Sequence, residues 1–175
     1  MRIIRLLPVA CALALLVPAA LAQDLPKPGP EHARLKQIEG TWDATVKMND
    51  QESKGTMKYK MGLGGLWLIA DFEGEVGGMK FQGHGLDSYD AGKKKYVSVW
   101  ADSFSTTPMT MEGSYDEKTK TQTMVGEGAG MDGPHTKYKS VIEFKDANTM
   151  TQTMSTVGKD GKDNVMLTIT YKRRK

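Results

Sequence analysis

From Trp42 onward, apolar and polar residues alternate with a period of two. Trp42, Ala44, Val46 and Met48 fall on one side, and Asp43, Thr45 and Lys47 on the other. This is the pattern of a strand with one buried face. Turn signals then recur at short intervals: Asn49-Asp50, Gly62 to Gly65, Gly77-Gly78, Asp90-Ala91-Gly92, Ser105 to Pro108, Asp116 to Thr119, Ala129 to Pro134, Asp146 to Asn148 and Lys159 to Lys162. Asp160-Gly161, in the last of these, readily takes the positive φ of a tight hairpin turn. The spacing predicts about ten strands, near 41–48, 53–62, 66–76, 79–89, 93–102, 108–116, 120–128, 135–145, 148–158 and 163–172. No helical period interrupts them. The fold class is therefore all-β, a single closed antiparallel up-and-down barrel. Gly83, Gly85, Gly113, Gly126 and Gly128 fall inside strand patterns, where glycine permits the sharp bends that closure needs.

Before the first strand the pattern differs. Pro30 suits a first helical position, Leu35 and Ile38 share a face, and Gly40 is a natural stop. A short helix over 31–38 is expected, lying across one end of the barrel. Residues 23–30 read as a proline-rich linker, and 31–175 as one domain.

The first 22 residues change the picture of compartment and charge. Arg2 and Arg5 precede an apolar run from Leu6 to Val17, and Ala20-Leu21-Ala22 has the form of a leader cleavage site. The run is too short, and broken too early by Pro18, to remain as a membrane span. The single cysteine, Cys11, lies inside it and too early for a lipid anchor, so the mature chain has no thiol chemistry. Export without disulfides points to a periplasmic or secreted protein. Losing Arg2 and Arg5 from 24 basic residues leaves 22 against 21 acidic ones. That near-neutral balance gives no basic face for nucleic acid, and the only charge run is the tail Lys172 to Lys175.

The apolar side of the strands is rich in methionine. Met57, Met61, Met109, Met111, Met150 and Met154 fall in phase with Leu68, Phe72, Phe81, Ile142, Phe144, Val165, Leu167 and Ile169. Methionine adapts to irregular space, in a filled core or around a ligand. Tyr96, Ser98, Trp100 and Asp102 share one face of their strand, with Val97, Val99 and Ala101 on the other; periodicity alone does not choose which is inside. If the aromatic and polar face points inward, Phe72, Phe81, Ser98, Trp100, Asp102, Met109, Met111, Tyr138 and Met150 line a pocket for a small apolar molecule.

Chemistry is sparse. His32, His84 and His135 are the only histidines, and none is joined by a motif to a serine and a carboxylate. No cysteine or histidine spacing matches a metal site, although Met109 and Met111, two apart on a strand, could offer thioethers to Cu(I). No cofactor is expected. Two other readings compete with simple binding: an enzyme acting on a lipid-like substrate with Asp102 as acid or base, and an interaction scaffold presenting an exposed Trp67–Ile69 pair.

Two resemblances sharpen the fold. Gly40-x-Trp42 after a short helix resembles the first motif of the lipocalin-like barrels, the calycins. The resemblance implies that the tryptophan closes one end and is stacked by a basic residue of the last strand, here Lys172, Arg173 or Arg174. Some calycin-like barrels bind haem through a histidine, for which His84 or His135 would be the candidates. More closely, Gly29-Pro30-Glu31-His32, Gly40-Thr41-Trp42-Asp43, Ser53-Lys54-Gly55-Thr56, Leu63-Gly64-Gly65 with Trp67, Phe81 with Gly83 and Gly85, Tyr89-Asp90, Trp100-Ala101-Asp102-Ser103 and Ile169-Thr170-Tyr171 together resemble a bacterial family known as domain of unknown function 1579. Leu66 and Ser88 depart from that family's pattern. The resemblance implies a calycin barrel and no activity.

Overall fold

The computed structural model describes residues 25–130 and 133–175. The leader and its cleavage site, the first residues of the linker, and Met131 and Asp132 of one turn lie outside the described residues. The chain forms a helix, α1 (Pro30–Gln37), and ten strands: β1 (Gly40–Met48), β2 (Gln51–Gly62), β3 (Trp67–Val76), β4 (Met79–Asp90), β5 (Lys95–Asp102), β6 (Met109–Asp116), β7 (Thr121–Gly130), β8 (Gly133–Asp146), β9 (Thr149–Val157) and β10 (Asp163–Arg173). Each strand pairs antiparallel with its neighbours in sequence, and β1 pairs with β10 to close the barrel.

Closure is anchored at one end by Trp42 and Arg173, which are in register across β1 and β10. The Arg173 guanidinium stacks 4.1 Å from the centre of the Trp42 ring, and the ring is almost wholly buried. The same pair holds the helix. A helix C-terminus leaves carbonyls without partners; here Arg173 donates to the carbonyls of Gln37 and Glu39, and the indole Nε1 donates to Ile38 at 2.9 Å. Arg173 Nε also reaches the carbonyl of Ala147 in the β8–β9 turn. Leu35 and Ile38 then bury the inner face of α1, and the Glu39 carboxylate accepts the backbone N–H of Met61 at the end of β2. A basic residue of the last strand thus stacks on the tryptophan, and it is Arg173.

The inward face follows from register. Starting at Trp42, it passes through Met57, Phe72, Gly83 and Asp102, and one layer nearer the helix through Tyr59, Ala70, Gly85, Trp100 and Met109. All six in-phase methionines named above lie on it. Val165 does not. A bulge at Met166 inserts an extra residue between Val165 and Leu167, so Leu167 and Ile169 face inward while Val165 is turned out and 64% exposed. The expected exposed pair on the outer wall is also corrected: Trp67 and Ile69 are both half-buried. Leu66 and Ser88 meet each other, Ser88 Oγ donating to the Leu66 carbonyl at 2.6 Å.

The strand glycines act by close approach. A Cβ on Gly113 would stand 1.9 Å from the Thr123 carbonyl oxygen, and one on Gly126 1.9 Å from that of Thr110. Both clashes are with backbone across the β6–β7 pair, so the strands coil too tightly there for any side chain. Gly128, by contrast, faces Met109, whose Cβ, Cγ and Cα would lie 3.1–3.3 Å from an added Cβ. Gly126→Ala should therefore cost about 3 kcal/mol and lower the thermal midpoint by roughly 6–12 °C. Gly128→Ala should cost less than about 1 kcal/mol. Equal midpoints for the two variants in calorimetry would refute the close backbone approach at Gly126.

Candidate functional site

The aromatic and polar face of β5 points inward. Tyr96 is buried opposite Gly113, Ser98 faces Asp87 on one side and Met111 on the other, and Trp100 faces Gly85 and Met109. The alternation puts Val97, Val99 and Ala101 outside. Room for the Trp100 ring comes from β4: a Cβ on Gly83 would lie 2.0 Å from Trp100 Cζ2, and one on Gly85 2.9 Å from Cε3.

All nine residues expected to line a pocket lie on the inward face, though in different layers. Trp100, Met109, Asp102 and Phe81 gather toward the end away from α1. Phe81 packs edge-on against Phe72 and Phe104, with ring centres 5.7 and 4.9 Å away. Phe104 is 49% exposed, so an aromatic run leads from solvent at that rim into the barrel. Ser98 and Met111 sit at mid-height. Tyr138 is buried in the wall, its hydroxyl donating to the Ala129 carbonyl at 2.7 Å. Met150 belongs to the layer under the helix, between Phe144 and Tyr171.

Asp102 is placed at the rim. Its Oδ2 accepts the Trp100 indole N–H at 3.0 Å, and its Oδ1 the backbone N–H of Phe104 at 2.9 Å. It orients the indole and closes the first turn of the loop after β5. The deep carboxyl is another residue, Asp87, which the sequence reading missed. Phe81, Gly83, Gly85, Asp87 and Tyr89 share a phase, so following β4 inward from Phe81 would have reached it. Burial pushes the Asp87 carboxyl up to about 6, and the facing Ser98 hydroxyl offsets part of this. Tyr59 and Tyr171 stand close enough for the Asp87 charge to add to the effect of burial in raising their phenols. Tyr171 donates to Gln152 Oε1 at 3.0 Å, and Gln152 Nε2 to Ser140 Oγ at 3.0 Å. The interior therefore carries a small polar set in an otherwise apolar wall.

Tyr59 and Asp87 face inward, and both keep part of their surface accessible. So do the inward-facing Ser98, Trp100, Met111, Gln152, Met154 and Ile169. Inward-facing residues that keep accessible surface are not packed on every side.

The histidines lie elsewhere. His84 is on the outer wall, its Nδ1 2.7 Å from Asp71 Oδ1, and His135 is exposed beside Glu127. His32 is buried in α1, where its Nδ1 accepts the Gly29 N–H at 3.0 Å and its ring meets Tyr89 edge-on. Among the described residues, no helix is long and apolar enough to cross a membrane.

A family model described as "Protein of unknown function (DUF1579)" matches residues 27–173. No curated protein matches the chain. Among solved structures, a de novo designed fluorescence-activating β-barrel is similar at TM-score 0.46 and 13% identity, over 80% of this chain and 96% of that one. A redesigned barrel bound to DFHBI gives 0.41 and 18%, over 79% and 97%, and a further redesigned barrel 0.42 and 15%, over 81% and 95%. At these identities the likeness is one of strand architecture alone.

The raised Asp87 value fixes the sign of a pH effect. Between its ordinary value of 3.8 and about 6, the folded state holds a proton that the unfolded chain has released. Stability contributed by this group is therefore complete below about pH 4, falls as pH rises to about 6, and stays lower above. The full difference is of the order of 3 kcal/mol. Asp87→Asn removes the titration, so the variant should be more stable than the parent at pH 7–8 and should lack the decline between pH 4 and 6. Denaturant unfolding at several pH values measures both; parallel curves for parent and variant would contradict it.

Proposed function

Because the match over nearly its whole mature length makes this chain a member of the DUF1579 family of unknown function, the activity has to come from the site itself, and we propose that the protein, exported by its leader, holds a small and largely apolar molecule inside the barrel. The observation that carries this reading is the accessible surface kept by residues that face inward. Trp100, Met111, Met154 and Ile169 supply an apolar lining that adapts to the shape of its content, and Asp87, Ser98, Tyr59 and Gln152 supply a few polar groups able to orient it. Small-molecule sites usually have this make-up.

Binding without reaction is favoured over acid–base chemistry at Asp102, since that carboxylate is occupied by the Trp100 indole and the Phe104 N–H. The aromatic run Phe104–Phe81–Phe72 offers a route inward at the rim away from the helix.

Native mass spectrometry of protein exported with its own leader and purified gently is expected to show a bound species of a few hundred daltons, the mass of a small-molecule ligand. Met111→Trp, which fills the middle of the lumen, should reduce its occupancy by about tenfold or more while the fold persists by circular dichroism. Ligand-free protein that also fails to enhance the fluorescence of an apolar probe would refute the reading.

A further inference from the structure

The end under α1 holds a cavity with a chemistry of its own. The helix packs toward β2, β3 and β4, and the rim of β6 and β8 is spanned by one of its side chains, Arg34. A cavity of about 350 Å³ opens there, walled by Arg34, Ile38, Trp42, Tyr115, Phe144 and Arg173.

Arg34 lies in an aromatic box. Its guanidinium carbon is 3.3 Å from the centre of the Tyr115 ring, 4.6 Å from that of Phe144 and 5.5 Å from that of Tyr96. Nη2 donates to the buried Gln122 Oε1 at 2.9 Å, and the Tyr96 hydroxyl also meets the guanidinium. Nε–H is buried and has no hydrogen-bond partner among the described residues. Among the described residues no carboxylate lies within ion-pair distance of Arg34, although the charge of Glu117 favours its protonated form from further away. Burial works against its charge, but a guanidinium stays protonated in proteins.

The two other arginines nearby are accounted for. Arg173 spends its donors on the carbonyls of Gln37, Glu39 and Ala147, and Arg174 pairs with Asp43. Arg34 alone of these three combines a partly desolvated cation with an unmatched buried donor beside the cavity. Stacking on rings attracts a cation but satisfies no N–H.

We infer that Arg34 is the receptor for a small organic monocarboxylate whose apolar body rests against Trp42, Ile38 and Phe144. Guanidinium and carboxylate are matched in geometry. The volume, near the lower bound of small-molecule sites, fits a molecule of about benzoate size. Glu117, Asp146 and Lys120 also border the cavity; with Arg34 and Arg173 the lining carries three basic and two acidic side chains, so a single carboxylate suits it better than a phosphate or dicarboxylate. The site depends on neither the lumen nor its contents.

The test is an NMR titration of ¹⁵N-labelled protein with benzoate and, separately, with benzyl alcohol, the uncharged match. Saturable shifts of the Arg34 Nε–H and Trp42 indole signals are expected with benzoate and not with the alcohol. Arg34→Met should weaken benzoate at least about tenfold, whereas Lys137→Gln, an equal loss of charge on the outer wall, should leave it unchanged. Because Arg34→Met could disturb packing under the helix, Arg34→Lys is measured as well; it keeps the charge and loses the fork, and several-fold weakening is expected. The inference is overturned if benzoate gives no saturable shift, if it leaves the Arg34 Nε–H signal unmoved, if the alcohol binds equally, or if a folded Arg34→Met variant binds benzoate as the parent does.

Discussion

Everything in this molecule hangs on the stacking of Arg173 on Trp42. One guanidinium covers the indole, accepts the duty of neutralising two carbonyls at the end of α1, and reaches a third in the β8–β9 turn. The pair thereby joins first strand, last strand, helix and a distant turn at a single point. Without β1 against β10 the sheet would have two edges, each a row of unpaired N–H and C=O groups. With it, all edges vanish and the interior is separated from the outer wall on every side.

That separation explains why the interior can be mixed in character. Asp87, Tyr59, Tyr171 and Gln152 sit among methionines and aromatic rings, and each such group costs stability unless it finds a partner. Several do: Tyr171, Gln152 and Ser140 form a relay of hydrogen bonds. Asp87 is less well matched, with Ser98 as its partner and a carboxyl shifted toward the neutral form. Polar groups arranged this way contribute little to holding the barrel shut.

The fold was largely legible in the sequence, because each strand obeys one rule. Period-two alternation and a turn signal every ten residues or so are enough to place ten hairpin-linked strands, and Gly40-x-Trp42 marks where the array begins. Register was harder. Which face of β5 lies inside depends on its neighbours, and only the small residues Gly83 and Gly85 opposite Trp100 decide it. The bulge at Met166 left no mark in the alternation, so Val165 was assigned to the wrong side. Asp87 escaped attention because a carboxylate between Leu86 and Ser88 reads as a surface residue. Arg34 escaped for a related reason: on so short a helix, a charged side chain gives no sign that Tyr96, Tyr115 and Phe144, from three later strands, will surround it.

The up-and-down order carries a consequence for how the chain comes together. Nine of the ten strand pairings join neighbours in sequence, through loops short enough to close quickly, and the tenth joins the two ends. Hairpins can form as the polypeptide emerges, but the seam between β1 and β10 must wait for the final residues and for a loop spanning the whole domain, which is the slow and entropically costly step. Until the last strand arrives the nascent sheet stays open, with its methionine-rich face uncovered. The step that locks the structure is therefore the last one available to the chain.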